Sequence, residues 1–248
     1  MISNLLLDIE GTTCPVSFVG DILFPYAAAQ LQPYIEQHHN EADIQHILQR
    51  AMEEYNQDES WPQSDSKKAL LSDPSEDRES IANYLLHLVK IDKKSTALKD
   101  LQGRIWKQGY SDGDIKSTLF SETATCLNDW ASMGLTLAVY SSGSIEAQQL
   151  LYQHTPSGDL RSMFSHWFDT HTGPKKEKNS YTLICKQMTV APNNVLFISD
   201  SGDECDAAQQ AGLRTLFSRR NGNPDQDPRG HRWVDNLSDV CTAIKQER

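Results

Sequence analysis

The chain has 248 residues, 38% of them hydrophobic and 23% charged, enough to bury a substantial core in one domain plus a sizeable insertion. A formal net charge of -11 argues against nucleic acid as a partner, because that affinity comes largely from Lys and Arg neutralising phosphates; a small molecule is expected instead. No segment approaches the roughly 20 apolar residues of a membrane span, and the five cysteines stand singly without a C-x-x-C pair, so a monomer in the reducing cytoplasm, away from membranes, is the expectation.

The first predicted element is the run Leu5-Leu6-Leu7, continuously apolar and followed at once by Asp8 and the turn-forming Gly11, which reads as a buried strand delivering its end into a loop. Residues 16–117 are rich in Glu, Gln, His, Leu and Tyr, and Ile44, Ile47, Leu48 and Met52 recur near helical spacing. This stretch predicts a helical cap inserted after the first strand, with an irregular loop at 56–78 where Asp, Ser and Pro gather. Within it, Trp106 and Tyr110 at i, i+4 read as core packing, the alternative being that the LQGRIW segment faces the active site. The catalytic core is then 1–15 together with 118–248.

Further strands are predicted at 135–140 and 195–198, each ending in small polar residues and each followed by a helix, at 145–152 and 205–211. One more strand is predicted at 213–217, and a loop at 221–230. Strand and helix alternate as in an α/β fold with a doubly wound parallel sheet.

Open parallel sheets bind ligands at the carboxyl edge of their strands. That edge receives, in order, Asp8 and Glu10; Ser141 and Ser142; Lys175 or Lys176; and Asp200 with Asp203 or Glu204. Phosphoryl transfer collects these groups, since it needs an in-line nucleophile, a divalent cation and donors to the equatorial oxygens. Asp8 is the candidate nucleophile, forming an aspartyl phosphate. Glu10, two residues along an extended segment, returns to the same face and is the candidate general acid and base. Magnesium, which prefers hard oxygen ligands, is expected on Asp8 and Asp200. Ser141 and the amides after Gly143 would hold phosphate oxygens at a helix start, although Ser141-Ser142-Gly143 alone is more often a helix cap. Lys175 would neutralise charge shared between Asp8 and the phosphate. The histidines show no metal-ligand spacing and read as surface or cap residues.

LLLDIEGTT, the serine after VY, the lysine of GPKKEK and ISDSGDE resemble, in order, the four signatures of haloacid dehalogenase-like (Rossmannoid) phosphatases. SFVGDILFPY, ALKDLQGRIW, YSSGSIEAQQLL and FDTHTGPKKEKNSY narrow the resemblance to the acireductone-forming enolase-phosphatases of methionine salvage, over nearly the whole chain. Such enzymes enolise 2,3-diketo-5-methylthiopentyl 1-phosphate and then remove its phosphate to give the acireductone, using one magnesium ion. The resemblance implies Asp8, Glu10 and Asp200 at the metal and Ser141, Ser142 and Lys175 on the substrate, with Asp8, Glu10 and Lys175 catalytic. A glutamate at Glu10 matches these enzymes, whereas phosphatases of the wider superfamily place aspartate there. Lys176 and Lys178 crowd Lys175, but the spacing from Gly173 and from Ser180-Tyr181 favours Lys175.

Two rivals remain at this stage. Another capped sugar-phosphate phosphatase or mutase of the superfamily would share Asp8 and Asp200. A receiver-type signalling domain would carry its acceptor aspartate after a later strand and lack the insertion.

Overall fold

The computed structural model describes residues 1–61, 72–75 and 77–245; the part of the expected loop at 62–71, and residue 76, lie outside the described residues. In chain order the elements are β1 (Asn4–Leu7), α1 (Val16–Phe18), α2 (Phe24–His38), α3 (Ala42–Gln57), α4 (Arg78–Lys90), α5 (Thr96–Asp112), α6 (Thr123–Ser132), β2 (Thr136–Tyr140), α7 (Ile145–Gln153), β3 (His166–Phe168), α8 (Lys178–Gln187), β4 (Val195–Ser199), α9 (Gly202–Gln210), β5 (Arg214–Ser218), β6 (Trp233–Val234) and α10 (Val240–Lys245). They divide into two compact units, one of Met1–Gly20 with Lys116–Arg248 and one of Asp21–Ile115. The expected cap boundaries were 16 and 117; α1 stays with the first unit, where Phe18 is buried.

The first unit holds a six-stranded sheet, all pairings parallel, in the order β3-β2-β1-β4-β5-β6. β1 lies inside it, paired with β2 on one side and β4 on the other. Leu5, Leu6 and Leu7 are therefore fully buried, which is why this strand is continuously apolar where a half-exposed strand would alternate. Strand order reverses between β1 and β4, and that switch point leaves a crevice beyond the carboxyl ends of the strands. Asp8 and Asp200 immediately follow those two strands. β3 and β6, three and two residues long, were not among the predicted strands, because neither is long enough to display a period.

The second unit packs α2, α3, α4 and α5 around their own core. Ile44, Ile47, Leu48 and Met52, the residues at helical spacing, are buried there with Leu31, Leu85 and Leu101. α5 starts at Ser95, whose Oγ accepts from the Leu98 amide at 3.0 Å, and ends at Gly113 in the left-handed conformation that glycine adopts without a Cβ clash. The Trp106 indole donates to the Leu23 carbonyl at 2.8 Å and its ring tilts against Phe24, so packing within this unit accounts for its contacts. Among the described residues no helix is long and apolar enough to cross a membrane.

Asp58, at the end of α3, ties this unit together. One carboxylate oxygen accepts from Lys93 Nζ at 2.6 Å and Tyr84 Oη at 3.1 Å, the other from the Ser60 amide at 2.9 Å and hydroxyl at 2.6 Å. Partial burial acts to raise its pKa, but these donors outweigh burial and hold the carboxyl well below its ordinary 3.8. A depressed folded pKa gives stability that is present above the ordinary value and lost as pH falls below it. Asp58→Asn is therefore expected to destabilise the protein by about 1–3 kcal/mol at pH 7. Denaturant titrations should show this gap shrinking below pH 4; a gap independent of pH would remove the carboxylate from the account.

Candidate active site

Asp8 extends the β1 ladder by one bond, its amide donating to Ile198 O at 3.0 Å, and then turns its side chain into the crevice. Its Oδ1 accepts from the Ile9 amide at 2.8 Å and stands 2.6 Å from Lys175 Nζ; its Oδ2 accepts from Ser199 Oγ at 2.9 Å. Lys175 Nζ also stands 2.7 Å from Glu204 Oε2, which lies 2.9 Å from the same serine hydroxyl. Asp8, Lys175, Glu204 and Ser199 thus form a closed ring of charge-assisted bonds at the switch point, with the Lys175 side chain only 7% exposed.

Local anchoring explains why Lys175 reaches this ring. The loop after β3 has three consecutive carbonyls held by hydroxyls: Tyr140 Oη donates to Gly173 O, Ser180 Oγ to Pro174 O and Tyr181 Oη to Lys175 O, at 2.8, 2.7 and 2.6 Å. Lys176 is exposed and pairs with Asp203 at 2.7 Å, which also binds Arg229. The alternatives left open by the sequence are therefore separated: Lys175 and Glu204 are the buried pair, Lys176 and Asp203 an exposed one. α9 begins at Gly202, earlier than the expected 205, and adjacent positions on it point in different directions.

Gly11, at φ +66°, allows the turn that carries Glu10, and a Cβ there would fall 2.1 Å from Asp200 Oδ2. Only glycine lets the Asp200 carboxylate lie this close to the backbone. Ser141 follows β2, whose Val139 pairs with Leu7, so it leaves the sheet beside Asp8; it is buried and its amide donates to Phe168 O at 3.2 Å. Ser142 is exposed.

Two buried residues here were missed by sequence reasoning. Ser199 was read only as polar punctuation after a strand; a hydroxyl closing an otherwise apolar run is the signal it offered. Asp169, at the end of β3, accepts from the amides of Ile145 at 3.4 Å and His171 at 2.9 Å, and from His171 Nδ1 at 2.9 Å. Its strand was too short to announce it.

The electrostatics are lopsided. Four carboxylates, those of Asp8, Glu10, Asp200 and Glu204, interact around one ammonium. Burial, then the charge of Asp8, pushes Glu10 up to about 7, and the same two causes raise Asp200 and Glu204. Burial alone would lower Lys175, but the charges of Asp8 and Glu204 overcome it and hold the ammonium above the usual lysine range. A buried hard-oxygen set with an excess of negative charge fits a divalent cation. Among the described residues no group of three or more His, Cys, Asp or Glu side chains is placed, as it stands, to hold a metal ion.

Residues 2–212 match the family described as haloacid dehalogenase-like hydrolase. Enolase-phosphatase E1 of Synechococcus sp. strain CC9605 is 52% identical over 99% of this chain and 98% of its own length. The chain belongs to the enolase-phosphatase family of haloacid dehalogenase-like hydrolases. Another member, Enolase-phosphatase E1 of Parasynechococcus marenigrum, is 52% identical over 96% of this chain and 98% of its own. The crystal structure of the UTR4 protein of Saccharomyces cerevisiae superposes with a TM-score of 0.75 at 31% identity, covering 95% of this chain and 98% of that one.

Proposed function

We propose that the chain is a bifunctional enolase-phosphatase that converts 2,3-diketo-5-methylthiopentyl 1-phosphate to the acireductone 1,2-dihydroxy-3-keto-5-methylthiopentene and inorganic phosphate. The observation that carries the reading is the buried Asp8–Lys175–Glu204 ring at the switch point, in a chain 52% identical over nearly its full length to proteins named enolase-phosphatase.

Asp8 attacks phosphorus through a carboxylate oxygen, the ester P–O bond breaks, and the electron pair leaves on the enol oxygen. Glu10 supplies the proton that oxygen needs, its pKa raised by burial and then by the charge of Asp8. Water then attacks the aspartyl phosphate, its proton returning to Glu10, and Asp8 is released with free phosphate. Lys175 neutralises charge on Asp8 and the phosphate, while Ser141, Ser142 and the amides after Gly143 bind phosphate oxygens. Asp8 and Asp200, with Glu10 beside them, would hold magnesium, which when bound offsets the repulsion between carboxylates and phosphate and stabilises negative charge on the enolate. The helical unit is assigned the role of substrate selection, since the sheet offers groups common to many phosphate esters. The free cysteines, four of the five buried, accord with a reducing compartment such as the cytoplasm.

Purified protein, supplied with magnesium and the diketo phosphate under anaerobic conditions, is expected to release acireductone and phosphate in equal amounts. Exhaustive chelation should abolish phosphate release and magnesium restore it; undiminished turnover without metal would refute the assignment of Asp8 and Asp200. Rapid hydrolysis of sugar phosphates with none of the diketo ester would transfer the chain to a different specificity.

A further inference from the structure

The turn after Asp8 is gripped from a direction that none of the four signatures occupies. The Gly11 carbonyl accepts two hydrogen bonds, from Ser218 Oγ at 2.9 Å and from Asn223 Nδ2 at 3.0 Å. Arg220 Nη2 lies 3.5 Å from the next carbonyl, Thr12 O. These three residues lie at or just after the end of β5, and all are buried, at 0%, 7% and 5% exposure for Ser218, Asn223 and Arg220.

The grip is itself anchored. Asn223 Nδ2 also donates to Ser218 O at 3.1 Å, and Gln226 Nε2 holds the carbonyls of Arg220 and Asn223 at 2.8 and 2.9 Å. Arg220 stands 2.6 Å from Glu122 Oε1, donates to Asp235 O at 3.0 Å and stacks over Phe120. Among the described residues its Nε and Thr12 Oγ1 are buried without a hydrogen-bond partner. A buried backbone carbonyl needs a donor for stability alone, and for that a single donor to Gly11 O would serve. Polar atoms aimed at one glycine carbonyl instead specify where that peptide sits.

That location matters because Gly11 lies between two groups. A Cβ on it would be 2.8 Å from Asn223 Nδ2 and 2.1 Å from Asp200 Oδ2, and Glu10 is the preceding residue. We infer that Ser218, Arg220 and Asn223 are positioning residues whose clamp on the Gly11–Thr12 backbone sets the places of Glu10 and Asp200 around Asp8. The inference rests on the phosphatase reading of the site, and it assigns function to a segment outside the four signatures.

The test compares Asn223→Ala, the isosteric Asn223→Asp, Ser218→Ala and Ser218→Thr with the wild type. Measured quantities are kcat, KM, Tm and magnesium affinity by calorimetry on the metal-free protein. Asn223→Ala is expected to lower kcat about 10- to 100-fold and to weaken magnesium binding about tenfold, with KM within about twofold. Asn223→Asp, which sets an acceptor against a carbonyl, should lose at least as much. Ser218→Ala should fall less, because Asn223 still holds the same oxygen, and Ser218→Thr, which keeps the hydroxyl, should recover most of that loss. If Asn223→Ala does not fold, the Ser218 pair carries the test. Variants that lose only Tm, with wild-type kcat and magnesium affinity, overturn the clamp. A simple aryl phosphate assayed in parallel should show the same proportional losses, so failure on the diketo phosphate alone counts against the substrate assignment and not the clamp.

Discussion

Asp8→Asn is expected to lower phosphate release by roughly 10⁴-fold or more while leaving slow enolisation, because the two half-reactions ask different things of the site. An amide is no nucleophile toward phosphorus. The substitution is also sterically accommodated. Ile9 N and Lys175 Nζ both approach Oδ1, so the amide oxygen takes that position, and its NH₂ faces Ser199 Oγ, which can accept that proton and donate its own to Glu204. The variant should therefore fold and bind substrate. Enolisation needs a base near the carbon proton and stabilisation of the enolate but no nucleophile on phosphorus, and Glu10, Ser141 and Lys175 remain to position the substrate. Phosphorus NMR should show the phosphorylated enol building up with no free phosphate, and proton NMR should show exchange at the carbon. Substrate binding without any exchange would mean that Asp8 takes part in enolisation as well.

Lys175→Met should be costly twice over. Removing the ammonium leaves Asp8 and Glu204 facing one another in a buried site, where the single hydroxyl proton of Ser199 can serve only one of them at a time. Breaking a buried pair on one side costs about 3–5 kcal/mol, which for a chain of this size lowers Tm by about 6–20 °C. Phosphate release should drop about 10³-fold, since the charge that offsets the nucleophile and the phosphate is gone. Lys175→Arg should rescue little, because three anchored carbonyls deliver a slim ammonium to its place and a planar guanidinium has a different shape. Lys176→Met is the control, an exposed pair whose loss should stay within about 0.5 kcal/mol. Equal stability losses in the Lys175 and Lys176 variants would contradict the buried ring.

The groups brought to this site were legible in part because each is written locally. A strand buried on both faces must be a continuous apolar run, so Leu5-Leu6-Leu7 and the residues before Asp200 announce themselves, and the polar group that ends each run lies by topology on the carboxyl edge. That reasoning gathered Asp8, Ser141 and Asp200 at one edge, Lys175 being added from motif spacing without a predicted strand behind it, and the helical spacing of Ile44, Ile47, Leu48 and Met52 foretold a second core. It could not choose between Asp203 and Glu204, because neighbours on a helix are equally acidic in sequence and differ only in which one the fold turns inward. It could not see β3, β6 or Asp169, because two or three residues carry no period. Nor could it find the grip on Gly11, whose donors Ser218 and Asn223 lie 207 and 212 residues away along the chain. Local patterns encode which groups each strand delivers; which of them meet, and what holds them, is decided by contacts between residues that only the folded sheet brings together.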